Sequence, residues 1–344
     1  MRITYNDGLK GLACLTVLVF HVNATFVVED ILVRQLPTPF HLLTNGTWAV
    51  FFFLLLSGFS VSQALMSRHD YQGTIVKHYF RLSLPLAVVQ LLVFLMGVSG
   101  CFFTTEVSSL TQDSWIGDFY TSFKVSALLK GIFFTVPGGA EYALSYIPPG
   151  WMMSYIFWGT FLVIILQLGT ENLARKKRFM VYLLCILVFW HMKQLLAVAV
   201  GAMISQSYQD LQKLRQLRYG AWISWVLLIV SVLSYVIKEK YVLSTSLMLV
   251  FVIMNGHAQR CLNLKPVQAL GKISLWVYLL HWPIMCSLGS LVFIQMFPAH
   301  PGLAYYESLA ACLFLTISFS YMATKYLSPL LQRLTNRITS FILS

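Results

Sequence analysis

The feature that most limits how this chain can fold is a series of long apolar runs that recurs along its whole length. The first, from Leu9 to Val28, contains about 20 residues, enough for a helix to cross the hydrocarbon core of a bilayer. Only 10% of the residues are charged, whereas soluble domains typically carry about 25%. The sequence therefore predicts an all-α, polytopic membrane protein.

The runs predict ten transmembrane helices in one membrane domain that occupies residues 1–344. They cover residues 9–28, 47–66, 82–103, 151–168, 179–190, 193–206, 220–237, 241–256, 271–295 and 303–325. The fifth and sixth are short and are divided by His191–Lys193, so one long helix is the alternative. We prefer two helices, because one would place Lys213 and the basic residues after it on the outer side.

The distribution of charge gives the orientation. With ten spans and an inner N-terminus, most of the 24 Lys and Arg residues fall on the cytoplasmic side and most acidic residues fall outside. Basic residues concentrate on the cytoplasmic side of membrane proteins. We therefore expect a protein of the cell membrane with both termini on the cytoplasmic side. The net charge of +12 then reports topology, so the lipid bilayer is the expected partner and nucleic acid is not.

The longest polar segment, residues 104–150, is predicted on the outer side. Its middle, from Phe123 to Val136, is apolar but too short to span, which predicts a re-entrant or interfacial helix. A loop of this length within a compact domain often forms a lid or a binding site. A solvated connector is the alternative, and the sequence leaves both open.

Ionisable residues inside the apolar runs mark the candidate site. Lys10 and His21 share one face of the first helix, about 16 Å apart along its axis. His281 in the ninth span is predicted at the same depth as His21, and Pro283 should free the carbonyl of Leu279 beside it. Ionisable groups at membrane depth are costly and therefore candidates for function. A topology signal for Lys10 and a buried hydrogen-bonding role for the histidines are the plain alternatives.

A basic cluster of Lys77, His78 and Arg81 lies at the predicted cytoplasmic start of the third span. Lys77 and Arg81 are one helical turn apart and share a face. Cations at a helix N-terminus are unfavourable unless an anion neutralises them, and a phosphate would do so. Together with Lys10 the cluster predicts a phosphate-binding mouth, unless it only reports the positive-inside bias.

Patterns for several other kinds of chemistry are missing from the sequence. It contains no Walker loop, GxGxxG, GxSxG or HExxH pattern, and its eight His residues are not spaced as metal ligands. The six Cys residues lack CxxC spacing and predict packed thiols. We therefore expect no metal and no resident cofactor.

Several motifs resemble those of the membrane acyltransferase-3 family, in the same order over nearly the whole chain. They are Lys10 and His21 after Asp-Gly-Leu, Ser57-Gly58-Phe59, Arg81-Leu-x-x-Pro85, Pro149-x-Trp151, Val200-Gly-Ala-Met203 and the run from Leu270 to His281. Members of this family are ten-helix proteins that move acyl groups, commonly acetyl, from cytoplasmic acyl-CoA to hydroxyl groups of surface glycans or other acceptors. The resemblance implies an O-acyltransferase with acyl-CoA, commonly acetyl-CoA, as donor.

The resemblance also implies roles for individual residues. His21 matches the family's essential intramembrane histidine, and Lys10 stands where the family usually has Arg. His78 and Arg81 fall where a spaced pair of arginines is common. We therefore expect the CoA phosphates at the basic mouth, His21 as general base or acyl carrier, and His281 as a group that orients the acceptor or stabilises charge.

On the acceptor side this sequence departs from the family pattern. Trp151 begins a motif whose sixth position is usually Glu, but Ile156 stands there. Either a different acid, such as Glu141, takes that role, or the site has no carboxylate there. Glu141 and Trp151 are the candidate acceptor-side residues. A transporter with a histidine proton relay and an inactive scaffold of a glycan-synthesis complex are the alternative functions. The resemblance suggests a surface polysaccharide as the acceptor, but the sequence does not identify it. The oligomeric state is also left open, and a homo-oligomer is one possibility.

Overall fold

The computed structural model describes residues 3–28, 37–112, 114–138, 146–238 and 240–344. Within these ranges every regular element is a helix, which confirms the all-α prediction. The helices are α1 (Tyr5–Thr25), α2 (Gly46–Arg68), α3 (Tyr71–Val98), α4 (Thr104–Thr111), α5 (Ser114–Gly117), α6 (Val125–Gly138), α7 (Trp151–Thr170), α8 (Arg175–Val188), α9 (Lys193–Gln206), α10 (Tyr208–Arg215), α11 (Gly220–Lys238), α12 (Tyr241–Met254), α13 (Gly256–Leu262), α14 (Lys265–Ile284), α15 (Ser290–Met296), α16 (Pro301–Met322) and α17 (Ser328–Leu343). Short 3₁₀ helices cover Thr38–Thr44 and Pro148–Gly150, and π-helical turns at Met285–Gly289 and Ala323–Leu327 join α14 to α15 and α16 to α17.

Seven helical segments of the described residues are long and apolar enough to cross a bilayer. They are α1, α2, α3, α7, α11, the α14–α15 segment and the α16–α17 segment. Helices α12 and α13 pass the same test together, although a bend of 96° separates them. Helices α8 and α9 have 14 residues each, or about 21 Å, against a hydrocarbon core of about 30 Å. The fold is a polytopic bundle, and the count of ten crossings stays a prediction.

The chain between residues 175 and 206 forms two helices and not one. A turn after α8, in which Met192 N–H donates to the carbonyl of Phe189, reverses the chain before α9. Tyr5 at the start of α1 then donates to the hydroxyl of Tyr208 at the start of α10. The basic segment that contains Lys213 therefore lies at the same end of the bundle as the start of α1, as the two-helix prediction requires.

Helix α3 begins earlier than predicted. It starts at Tyr71 because the carboxylate of Asp70 accepts a hydrogen bond from Gly73 N–H and caps the helix. Lys77, His78 and Arg81 consequently lie in its second and third turns and not at its N-terminus. The dipole argument for an anion at this cluster is therefore wrong, because the Asp70 carboxylate already serves that helix end.

Glycines set two close helix contacts. A Cβ atom on Gly58 of α2 would lie 2.0 Å from the carbonyl oxygen of Val198 in α9, so these backbones touch. Gly58 therefore allows close packing of α2 against α9. Between α1 and α14, a Cβ atom on Gly271 would lie 2.0 Å from the carbonyl oxygen of Asp7. The second contact holds the two histidine-bearing helices side by side.

The described part of the outer segment folds onto the bundle. Phe103 N–H donates to the carbonyl of Cys286, and the Thr104 hydroxyl donates to the carbonyl of Phe119. The predicted short apolar helix is present as α6, with 14 residues. Glu141, one of the predicted acceptor-side residues, lies outside the described residues.

Candidate active site

The two intramembrane histidines face each other between α1 and α14. Nε2 of His281 lies 3.0 Å from Nδ1 of His21, and the ring centroids are 5.0 Å apart with an interplanar angle of 23°. The His281 side chain is buried, while His21 is half-buried. The prediction that both imidazoles lie at one depth is confirmed.

The backbone beside His281 fixes the direction of this hydrogen bond. Nδ1 of His281 lies 3.2 Å from the carbonyl oxygen of Val277, which can only accept, so this nitrogen carries the proton. In a neutral ring Nε2 of His281 is then an acceptor, and Nδ1 of His21 must donate to it. Nε2 of His21 is left with a lone pair. The Val277 carbonyl lies one helical turn before His281. The expectation that Pro283 frees the carbonyl of Leu279 near His281 stays a prediction.

Aromatic rings cover the histidine pair at the end of the bundle where α1 finishes. The Trp282 ring stands edge-on to His21, with centroids 5.1 Å apart. Trp115 and Phe119, from the outer segment, lie at 5.6 Å and 5.1 Å from Trp282. This contact favours the lid interpretation of the segment over the solvated connector. Two residues after His21 on α1, the side chain of Asn23 accepts a hydrogen bond from the Tyr305 hydroxyl.

A cavity of about 460 Å³ opens on the other side of the pair, at the end where α1 begins. Its polar and charged lining residues are Asp7, Lys10, Ser57, Ser60, His78, Lys272, Ser274 and Tyr278. The remaining wall is apolar and includes Phe53, Met152, Met153 and Ile156. The Tyr278 ring lies 5.9 Å from that of His281. Tyr278 therefore lines the cavity and also lies beside His281.

The structure brings two of the four predicted CoA-binding residues to this cavity. Lys10 and His78 line it, and the buried Nε2 atom of His78 has no hydrogen-bond partner within the described part of the chain. Lys77 instead pairs with Asp70 at 3.5 Å on the surface, and Arg81 is exposed. Neither of these two side chains lines the cavity.

The position that departs from the family pattern is part of the same cavity, and the predicted acceptor-side tryptophan is not. Ile156 lines the cavity together with Met152 and Met153, so an apolar side chain shares the cavity with Lys10 and Lys272. Trp151 starts α7 and packs against Tyr155, with ring centroids 5.8 Å apart. It has no place in the cavity wall or in the aromatic cover.

Three functional candidates were missed from the sequence: Asp7, Lys272 and Tyr278. Asp7 precedes Gly8 and Lys272 follows Gly271, and both glycines lie at close helix contacts. Glycines at these positions could have indicated from the sequence that Asp7 and Lys272 approach the same site. Tyr278 looks like a buried aromatic residue in the sequence. Its hydroxyl donates to the carbonyl of Pro149 at 2.5 Å, a partner that only the tertiary structure supplies.

The described residues contain no group of three or more His, Cys, Asp or Glu side chains that could hold a metal ion. The functional groups brought together are instead two imidazoles, a basic cavity and an aromatic cover. This arrangement suits proton transfer or nucleophilic attack by His21 beside a cavity lined by two lysines and one aspartate.

A family model described as an acyltransferase domain, Acyl_transf_3, matches residues 3–325. The chain belongs to this family. The match includes both histidines, the cavity and the aromatic cover, and confirms the resemblance seen in the motifs. No curated protein and no solved structure matched the chain. The protein is therefore a multi-helix membrane member of an acyltransferase family.

Proposed function

We propose that the protein is an integral-membrane O-acyltransferase of the cell membrane that moves an acyl group, most simply acetyl, from acyl-CoA to a hydroxyl of a surface glycan. The observation that carries the proposal is the 3.0 Å contact between His281 and His21. It lies between a basic cavity and an aromatic cover, so a donor from one end and an acceptor from the other can meet at one nitrogen atom.

The 460 Å³ cavity is the proposed donor site. Lys10 and Lys272 supply positive charge for the CoA phosphates, and His78 supplies a further ring nitrogen. Phe53, Met152 and Met153 offer an apolar wall to the pantetheine arm as it extends towards Tyr278. The cavity polarity thus changes from basic to apolar in the direction of the histidine pair.

The proposed chemistry uses the lone pair on Nε2 of His21. As general base, this nitrogen takes the proton of the acceptor hydroxyl while the oxygen attacks the thioester carbonyl carbon. The carbon–sulfur bond then breaks, and the CoA thiolate takes the proton from His21. In the covalent route, Nε2 attacks the carbonyl carbon first, the carbon–sulfur bond breaks and CoA leaves as the thiolate. The acceptor oxygen then attacks the acyl-imidazole, the carbon–nitrogen bond breaks, and the hydroxyl proton passes through the freed Nε2 to the thiolate. In both routes Nε2 of His281 accepts from Nδ1 of His21 and stabilises the charge that develops on that ring.

The aromatic cover is the proposed acceptor side. Trp115 is 38% exposed, and together with Phe119 it packs over Trp282 and hence over His21. Exposed aromatic rings can pack against the apolar face of a sugar ring, which is consistent with a glycan acceptor. Movement of the cover would admit the acceptor hydroxyl to Nε2 of His21.

The decisive experiment is acyl transfer from radiolabelled acetyl-CoA to an isolated surface glycan by the purified protein. Transfer by the wild-type protein and its loss in His21→Ala, with CoA binding retained, supports the proposal. Glycan uptake into vesicles without acylation would indicate the transporter instead. No transfer and no transport, in a folded protein that binds no CoA, would indicate the scaffold.

A further inference from the structure

A second cavity, of about 800 Å³, lies between α8, α9 and α10, and shares no lining residue with the donor cavity. Four basic side chains and one carboxylate line it: Arg175, Lys176, Arg178, Lys213 and Asp210. Phe179, Met180 and Met203 form an apolar wall beside them. We call this the α8 pocket. It lies at the end of the bundle where α1 begins, since Arg178 also lines a neighbouring cavity with Tyr5.

Two of the four cations have structural partners. Arg178 donates to the carbonyls of Thr170 and Glu171 and to the side chain of Gln206, and so terminates α7. Arg175 pairs with the Asp210 carboxylate. Lys176 and Lys213 make no ion pair among the residues that the structure describes. The α8 pocket therefore has excess positive charge with two ammonium groups available to a ligand.

The predicted crossing of the bilayer by α8 and α9 brings this charge close to lipid, because both helices are short. Each helix is about 21 Å long, which is about 9 Å less than the hydrocarbon core. A bilayer adapts to short helices by thinning, which draws lipid headgroups towards the middle. At the basic start of α8 the favoured headgroups are anionic. Phe179 and Met180 are 42% and 61% exposed next to these cations and offer a surface to an acyl chain.

We propose that the α8 pocket binds one anionic phospholipid. Lys176 and Lys213 contact the headgroup phosphate, and Phe179 and Met180 contact the first acyl chain. The continuous apolar wall beside the cations favours a lipid over a soluble anion, because a free phosphate would leave that wall uncovered. This inference does not depend on the acyltransferase chemistry, since the pocket and the histidine pair have no residue in common.

Native mass spectrometry of the purified full-length protein with phosphatidylglycerol, against phosphatidylcholine, tests the proposal. Wild type should retain phosphatidylglycerol in preference to phosphatidylcholine. The Lys176→Gln/Lys213→Gln variant should bind it more weakly by about fivefold per lysine, or about 30-fold together. The matched control, Arg333→Gln/Arg337→Gln, removes two exposed cations from α17 and should bind like wild type.

Three results would overturn the proposal. One is equal retention of phosphatidylglycerol by the lysine variant and wild type, with both folded by circular dichroism. Another is an equal loss in the α17 control, which would show a diffuse surface-charge effect. The third is displacement of the lipid by inorganic phosphate or CoA at low millimolar concentration, which would show a soluble-anion site. The Phe179→Gln variant further distinguishes a phospholipid from a soluble anion as the ligand, because it should weaken phospholipid binding and leave the binding of inorganic phosphate unchanged.

Discussion

The hydroxyl of Tyr278 donates a hydrogen bond of 2.5 Å to the carbonyl oxygen of Pro149, across 129 positions of the chain. Tyr278 lies three residues before His281 on α14, and Pro149 belongs to the turn that begins α7. The bond therefore ties the helix that carries one histidine to the wall of the donor cavity. Both groups are buried, so neither can replace this partner with bulk water.

Tyr278→Phe should lower both stability and turnover. It leaves the Pro149 carbonyl buried without its donor, which costs about 1–3 kcal/mol, and it loosens α14 beside His281. The thermal unfolding midpoint in detergent and the rate of acyl transfer measure the two effects. Tyr321→Phe, at an exposed position, is the control and should change neither. An unchanged midpoint for Tyr278→Phe would mean that the bond contributes nothing to the fold.

His21→Ala should abolish acyl transfer, because it removes the only lone pair that the histidine pair presents to substrate. Removal of a general base typically costs about 10²–10⁴-fold in rate. His281→Gln should retain more activity than His281→Ala, since the glutamine side-chain oxygen can still accept from Nδ1 of His21. Single-turnover rates with saturating acyl-CoA provide the measurement. If the His281→Ala and His281→Gln variants were equally slow, a hydrogen-bond partner for Nδ1 of His21 would contribute nothing to the rate.

Lys10→Ala and Lys272→Ala should each weaken CoA binding. Each removes a charge-assisted contact to phosphate worth about 1.5–3 kcal/mol, which corresponds to a loss of about 10- to 150-fold in affinity. Isothermal titration with CoA measures the change, and Arg333→Ala on α17 is the charge-matched control. Arg81→Ala should have a smaller effect, because its side chain lies outside the cavity. If both lysine variants bound CoA with wild-type affinity, this cavity would not be the donor site.

Trp115→Ala should impair the acceptor side selectively. The exposed indole is part of the cover over His21, so its loss should raise KM for the glycan by about three- to tenfold, as expected for about 1 kcal/mol of aromatic contact. Affinity for CoA, whose proposed site is at the other end, should stay constant. Steady-state kinetics with each substrate varied in turn separates the two. A rise in the CoA KM alone would assign Trp115 to the donor side.

Gly58→Val should destabilise the bundle by forcing α2 and α9 apart. Its side chain would collide with the Val198 carbonyl, and overpacking of this kind costs about 1–3 kcal/mol. Gly302→Ala is the control, because a Cβ atom there meets nothing within 4 Å. Thermal unfolding and the yield of monodisperse protein measure the difference. Equal stability of the two variants would contradict the backbone contact between α2 and α9.

Sequence reasoning predicted the helical membrane fold and the common depth of His21 and His281, because hydropathy and helical rise determine depth without any tertiary information. It did not predict that the two rings are in contact. It also did not predict the ion pair between Lys77 and Asp70. The predicted start of this helix was residue 82, whereas the helix begins at Tyr71, with Asp70 as its N-terminal cap. Lys272 and Tyr278 also stayed hidden. Their roles depend on which face of α14 meets α1 and α7, and that rotation is set by the fit of Gly11 and Gly271, which periodicity alone does not specify.

The contact between α1 and α14 has a consequence for the order in which the protein is made. His21 and His281 are separated by 260 positions, so at about 5–20 residues per second His21 is synthesised about 13–50 s before its partner. During that interval the nascent α1 is in the membrane with a lysine and a histidine that its final neighbour does not yet shield. Assembly of the site is thus a late event in biogenesis, and the first helix must be held in the bilayer until the ninth predicted span arrives.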